Sequence, residues 1–288
     1  MTGLTRVAAA CSVLLALASP AAAFKVTVTP SAVRQGDVAM IVVTGAASAP
    51  AMDGSIEGRP LFFFPYADGY AALIGIDLET KPGRLPWRVG FVDGGGAPHQ
   101  ASGHLTVKSR SFPVQRLTLP KGMVDLSPDN ERRAEAEAAR LRALYDTITS
   151  VRLWRGRFTR PIAFDVKSDG FGFRRVINGK PRSPHTGVDF AAAAGTPVVA
   201  SNGGRVALVA DYFFGGRLIA LDHGEGLYTL YMHLERIDVA EGALVERGAI
   251  LGAVGSTGRA TGPHLHWSAQ LRRARIDPDA LLKLSAVD

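Results

Sequence analysis

Two short histidine stretches restrict what this chain can fold into more than any other feature. Residues 184–190 read P-H-T-G-V-D-F and place His185 and Asp189 four residues apart. Far downstream, residues 262–267 read G-P-H-L-H-W and supply His264 and His266. Thr186 and Val188 are β-branched, and Pro184 and Gly187 resist helix, so the first stretch reads as extended chain. Residues two or four apart on a strand share a face, so His185 pairs with Asp189, and His264 with His266. Laid side by side, the two strands bring three histidines and a carboxylate together. That is the ligand chemistry of a zinc site with one position left for water. Either stretch alone would be ordinary, because a lone His or Asp near a turn is usually a solvated or hydrogen-bonded structural residue. The pair carries weight because five of only seven histidines lie from His185 to His266.

The chain is long enough for two units of ordinary size, at 288 residues with 47% hydrophobic and 20% charged residues. Its first 23 residues differ from the rest. Arg6 is their only charge, residues 7–18 are almost wholly apolar, and Ala21, Ala22 and Ala23 are the small residues a signal peptidase needs. Residues 1–23 therefore read as a cleaved secretory leader, too short for a membrane span, and the mature chain is expected in the periplasm or outside the cell. Cys11 falls within the leader, in a context that does not fit a lipoprotein site. The mature chain then has no cysteine, hence no disulfide or thiolate ligand, and any metal must be held by nitrogen and oxygen. Losing Arg6 leaves a formal charge of +6, one below the +7 of the whole chain. Such a protein suits anionic polymers such as cell wall, and the lack of a basic aromatic motif argues against nucleic acid.

Residues 24–110 are expected to form an immunoglobulin-like β-sandwich without the disulfide. Short β-rich runs at 24–29, 38–44, 60–64, 70–76, 85–92 and 103–108 are separated by turn residues. Residues 111–150 read as a linker and a helix. Ser127 is the N-cap, Pro128 the first helical position, and Ala134, Ala138, Leu141, Tyr145 and Ile148 form an apolar stripe reaching about Thr149. This helix is expected to pack against one or both of the parts on either side and to fix their relation. Residues 151–288 change to short strands with many glycines, expected at 195–200, 204–210, 217–222, 227–233, 249–254 and 264–270. An antiparallel sheet follows, with the histidine stretches at strand ends and residues 171–184 as either one wall of a cleft or irregular surface. His99 and His104 read as ordinary strand or turn residues, and His223, before a glycine turn, as structural.

The runs H-T-G-V-D-F from His185, G-T-P-V-V-A-S from Gly195, L-Y-T-L-Y-M-H-L from Leu227, G-A-I-L-G-A-V-G-S-T-G from Gly248 and G-P-H-L-H-W from Gly262 occur in that order. Over about residues 170–275 the chain resembles the lysostaphin-type zinc metalloendopeptidases of bacterial cell walls. The resemblance implies a small antiparallel β metallopeptidase unit with a groove over one Zn2+. It implies His185, Asp189 and His266 as the metal ligands, with His233 and His264 as catalytic histidines outside the ligand set. It implies hydrolysis of peptide crosslinks in peptidoglycan, with the D-alanyl–diaminopimelate bond expected ahead of a glycine bridge. No stable membrane insertion is expected after leader cleavage, and a regulatory protein partner would fit such an enzyme. The competing reading is a wall-binding protein that kept the fold and activates another hydrolase, against which the complete ligand set argues. A zinc amidase cutting between glycan and peptide is a further alternative. The chain has no HExxH and no G-x-S-x-G, so a thermolysin-like motif and a nucleophile elbow are both missing.

Overall fold

In the computed structural model, which describes residues 24–45, 52–92, 96–162 and 168–284, the chain is mainly β. The expected leader lies outside those residues. Between residues 24 and 108 the strands are β1 (Lys25–Thr29), β2 (Ala32–Arg34), β3 (Val38–Thr44), β4 (Met52–Ile56), β5 (Arg59–Pro60), β6 (Phe64–Tyr66), β7 (Gly69–Gly75), β8 (Gly83–Val92) and β9 (Pro98–Lys108). They form one sheet of order β1-β3-β7-β6 and another of order β2-β9-β8-β4-β5. β3 shows why two layers form. Ala39, Ile41 and Val43 enter a core shared with Val89, Leu105 and Val107 of the second sheet. Val38 and Met40 alternate with them and point to the opposite face. The expected strand over 60–64 is displaced, since β5 ends at Pro60 and β6 begins at Phe64.

That opposite face joins the front of the chain to the back. Val38, Met40, Phe64 and Leu73 meet Trp154, Phe158, Leu227, Leu271 and Ile276 in a second buried cluster. At its edge, Arg110 donates to Asp277 at 2.8 Å and Arg275 to Asp77 at 2.7 Å. The joint is thus made by the outer face of the β1-β3-β7-β6 sheet. The sequence pointed instead to the linking helix.

After β10 (Val114–Leu117) comes that helix, α1 (Pro128–Asp146). Ser127 Oγ accepts from the Asn130 amide at 3.3 Å, and Asp129 and Glu131 complement the positive N-terminal end. Thr147 has an extended ψ of 122°, so the helix stops at Asp146 and Ile148 does not belong to its stripe. Tyr145, Leu141 and Leu144 pack on Leu208, Leu218, Tyr228 and Leu230, so α1 packs on the C-terminal sheet.

The C-terminal strands are β11 (Ser168–Asp169), β12 (Arg174–Ile177), β13 (Lys180–Pro181), β14 (Gly187–Phe190), β15 (Pro197–Val199), β16 (Gly204–Tyr212), β17 (Gly216–Asp222), β18 (Leu227–Ile237), β19 (Leu244–Val245), β20 (Ile250–Val254), β21 (Leu265–Leu271) and β22 (Ala274–Ile276), followed by α2 (Pro278–Leu281). The main sheet runs β11-β14-β21-β18-β17-β16-β19, and its pairs are antiparallel, as expected. Its central strands are buried on both faces, with period-two sorting. Ile219, Leu221 and Tyr231 enter one core, while Leu218, Ala220, Tyr228 and Leu230 face α1. Separately, β10 pairs in parallel with β12, whose partner is β13. A piece of the linker is thereby built into the wall formed by residues 171–184. Among the described residues no helix is long and apolar enough to cross a membrane.

Candidate metal centre

Antiparallel pairing puts directly opposed residues on one face, and the register of β14 with β21 sets Asp189 opposite His266. His185 lies just before β14, where its amide donates to the Phe173 carbonyl at 2.9 Å. The consequence is a tight group of three. His185 Nε2 lies 3.2 Å from Asp189 Oδ1, and His266 Nδ1 lies 2.8 Å from the same oxygen. The two ring nitrogens are 2.9 Å apart. Around a tetrahedral zinc with bonds of about 2.0–2.1 Å, ligand atoms stand about 3.3 Å apart, so the three donors have the spacing to hold one.

The tautomers fit as well. His185 Nδ1 is 2.9 Å from the Gly170 carbonyl, which can only accept, so Nδ1 carries the hydrogen and the Nε2 lone pair faces Asp189 and His266. Two glycines make room for these rings. A Cβ on Gly170, whose φ is +101°, would sit 2.6 Å from His185 Nδ1, and one on Gly187 would sit 2.6 Å from His266 Nε2. Burial pushes the His266 imidazole down to about 4, against the pull of Asp189. Burial pushes Asp189 upward, yet its contacts with His185 and His266 outweigh that and hold it well below the usual carboxylate range. Both directions favour a neutral His266 beside an ionised Asp189, the protonation state that metal binding requires of them.

His233 and His264 stand beside this group and outside it, their ring centroids 4.5 Å apart. His264 Nδ1 donates to the Gly262 carbonyl at 2.9 Å, leaving Nε2 as acceptor, 4.0 Å from Asp189 Oδ1. His233 Nδ1 likewise donates to the Thr257 carbonyl at 2.8 Å. Burial, aided by repulsion from His266, pushes His233 down to about 4. Its placement breaks strand alternation. Met232 opposes His266 and shares its face, so the next residue should turn toward Tyr231 and the opposite core. Instead His233 has φ +63°, beside a shift of register in β18, and its ring meets His264 and His266. A local kink of this kind re-aims one side chain at the cost of some backbone strain.

All five candidate residues line one cleft of about 310 Å³. Gln115, Leu117, Arg175 and Ile177 line it from β10 and β12, while Phe214 and the 259–261 segment line it from loops. Residues 171–184 do therefore contribute a cleft wall. The other three histidines lie elsewhere. His99 stacks on Phe91 at 4.7 Å, and His104 contacts Arg84. His223 is fully buried between the Gly203 carbonyl and Thr229 Oγ1, which bears out its structural reading. Sequence reasoning missed the Gly170 carbonyl, the share of β10 in the cleft, and the positive-φ turn that aims His233.

Residues 183–278 match the family described as Peptidase family M23. A solved structure titled as a putative peptidase M23 from Pseudomonas aeruginosa is 32% identical, with a TM-score of 0.64, and the match covers 86% of this chain and 94% of that one. The chain belongs to peptidase family M23. Curated relatives match this M23 chain over shorter stretches. Peptidoglycan DD-endopeptidase ShyB of Vibrio cholerae is 39% identical over 33% of this chain and 22% of its own length. DD-carboxypeptidase/endopeptidase Mpg of Neisseria meningitidis is 39% identical over 41% of this chain and 27% of its own. The matched part thus spans about a quarter of these relatives.

Proposed function

We propose that this M23 chain is an exported zinc endopeptidase that cuts the peptide crosslinks of peptidoglycan, with D-alanyl–diaminopimelate as the expected bond. The observation that carries the reading is the convergence of His185 Nε2, Asp189 Oδ1 and His266 Nδ1 within 2.8–3.2 Å, in a cleft that also holds two further histidines. The relatives named peptidoglycan DD-endopeptidases support the same substrate class. The exported address rests on residues 1–23. In this reading residues 24–110 form a β unit, 111–150 a linker and helix, and 151–288 the peptidase unit.

His185, Asp189 and His266 would hold the zinc, and the donor set of two imidazoles and one carboxylate suits it. When bound, zinc supplies Lewis acidity that polarises a carbonyl and makes water a competent nucleophile near neutral pH. Everything else falls to the chain. His233 and His264 each have Nδ1 tied to a backbone carbonyl, so each presents Nε2 as a proton acceptor. One takes the proton of the attacking water on Nε2 and, as the resulting imidazolium, returns it to the leaving amine, while the other stabilises the oxyanion when it carries a proton on Nε2. The walls from β10, β12 and the 259–261 segment hold the peptide over the cradle. The test is digestion of defined crosslinked muropeptides by the zinc-loaded full chain, with products identified by mass. Monomers bearing a new amine on diaminopimelate are expected. Release of intact peptide from glycan would identify an amidase, and intact dimers would contradict hydrolysis of the crosslink.

A further inference from the structure

The cleft carries more positive charge than the proposed chemistry requires. Arg175, on β12, reaches in from one wall. Its Nη2 lies 3.8 Å from Asp189 Oδ2, and its Nε donates to Gln115 Oε1 at 3.3 Å. Arg259 reaches in from the loop before β21. Its amide donates to the Phe214 carbonyl at 3.0 Å, and its guanidinium lies 4.1 Å from the centre of the Phe214 ring. Arg182, whose amide donates to the Arg175 carbonyl at 2.9 Å, stands exposed on the same hairpin. Burial lowers the proton affinity of Arg259, and repulsion from Arg175 and Arg182 lowers it further. Among the described residues lining the cleft, Asp189 is the only acid, and its Oδ1 is already engaged by two imidazoles. Gathering like charges in a half-buried cleft opposes folding, and an anion entering with the substrate would offset that cost.

We propose that Arg175 and Arg259 form a carboxylate clamp that selects amides whose leaving amine carries a free carboxylate on the adjacent carbon. The inference rests on the hydrolase reading above and sharpens it. A carboxylate so placed is two bonds from the scissile nitrogen. Arg175 lies beside Asp189, so its guanidinium is placed to reach such a group when the carbonyl lies over the cradle. Guanidinium is the side chain suited to this task, because its planar fork can bind both carboxylate oxygens. A diaminopimelate crosslink bears such a carboxylate, whereas the internal amides of a glycine bridge have an uncharged neighbour. Hydrogen bonds to a charged group discriminate by roughly ten- to hundred-fold.

The experiment uses the zinc-loaded full chain and two crosslinked muropeptide dimers. They are identical except that the carboxylate beside the scissile nitrogen is free in one and a carboxamide in the other. The wild type is expected to prefer the free acid by roughly ten- to hundred-fold in kcat/KM, mainly through KM. Arg175→Gln and Arg259→Gln should each pull that ratio toward one, with bound zinc unchanged. Arg259→Lys, which keeps the charge but loses the fork, should restore part of it and covers the case in which a glutamine variant fails to fold. Equal cleavage of both dimers by the wild type, or a preference that survives in both glutamine variants, overturns the clamp and leaves the hydrolase reading standing. Cleavage of neither dimer overturns both.

Discussion

Two buried histidines among the C-terminal strands, His223 just past β17 and His266 in β21, look alike by burial and differ in what their nitrogens meet. His223 and His266 are both almost wholly enclosed, and burial pushes each imidazole down to about 4. His223 is complete within the protein, with one nitrogen 2.7 Å from the Gly203 carbonyl and the other 2.8 Å from Thr229 Oγ1. His266 Nδ1 instead faces a second imidazole and a carboxylate that a second histidine also approaches. Three lone-pair donors crowded around one point cannot all be satisfied by the hydrogens available to them, and a cation would satisfy all three. Burial therefore does not mark a site here. The difference lies in whether the hydrogen-bond partners are complete.

Changes on the two sides should therefore have different signatures. The largest effect is expected from a residue that stands beside the cradle without belonging to it. His264→Ala should keep zinc and the fold yet lose at least about 10²-fold in turnover of a crosslinked dimer, the range for a lost proton-transfer group. Bound metal and kcat measured on one preparation check this, and loss of metal from His264→Ala would place His264 inside the ligand set. A smaller effect belongs to His223. Its native value of about 4 lies below the ordinary 6.5, so the unfolded chain binds a proton that the native state refuses between those values. Stability is then full above pH 6.5 and falls as pH drops toward 4. At pH 5 this amounts to about 2 kcal/mol. Denaturant titrations at pH 7 and pH 5 should show wild type losing about that much more than His223→Gln. Equal losses would remove His223 from the account.

Local chemistry was the legible part of the sequence. Ser127 and Pro128 announced the start of α1 because a capping hydroxyl and a helix-ready proline act within a few residues. The His185–Asp189 and His264–His266 stretches were legible because strand periodicity needs only a short window. What stayed hidden depends on register and on contacts between distant segments. His233 would follow Tyr231 into the opposite core if β18 were regular, and nothing in Y-M-H-L tells of the positive φ that turns it back. The pairing of β10 with β12 and the packing of Val38 and Met40 on Trp154 and Leu271 join residues far apart in sequence. The same physics shifted the role expected of α1. Its stripe was read correctly through Tyr145, but an apolar stripe does not say which surface it covers.

The central claim is that His185, Asp189 and His266 hold the metal and that the other histidines do not. The direct measurement is zinc content by elemental analysis after equilibration against a buffered, limiting zinc concentration, for wild type, Asp189→Ala, His264→Ala and His223→Gln. Wild type, His264→Ala and His223→Gln should each retain about one zinc per chain, while Asp189→Ala retains almost none, because two imidazoles are too few for tight binding. An Asp189→Ala protein that is folded and as fully loaded as wild type would contradict the account.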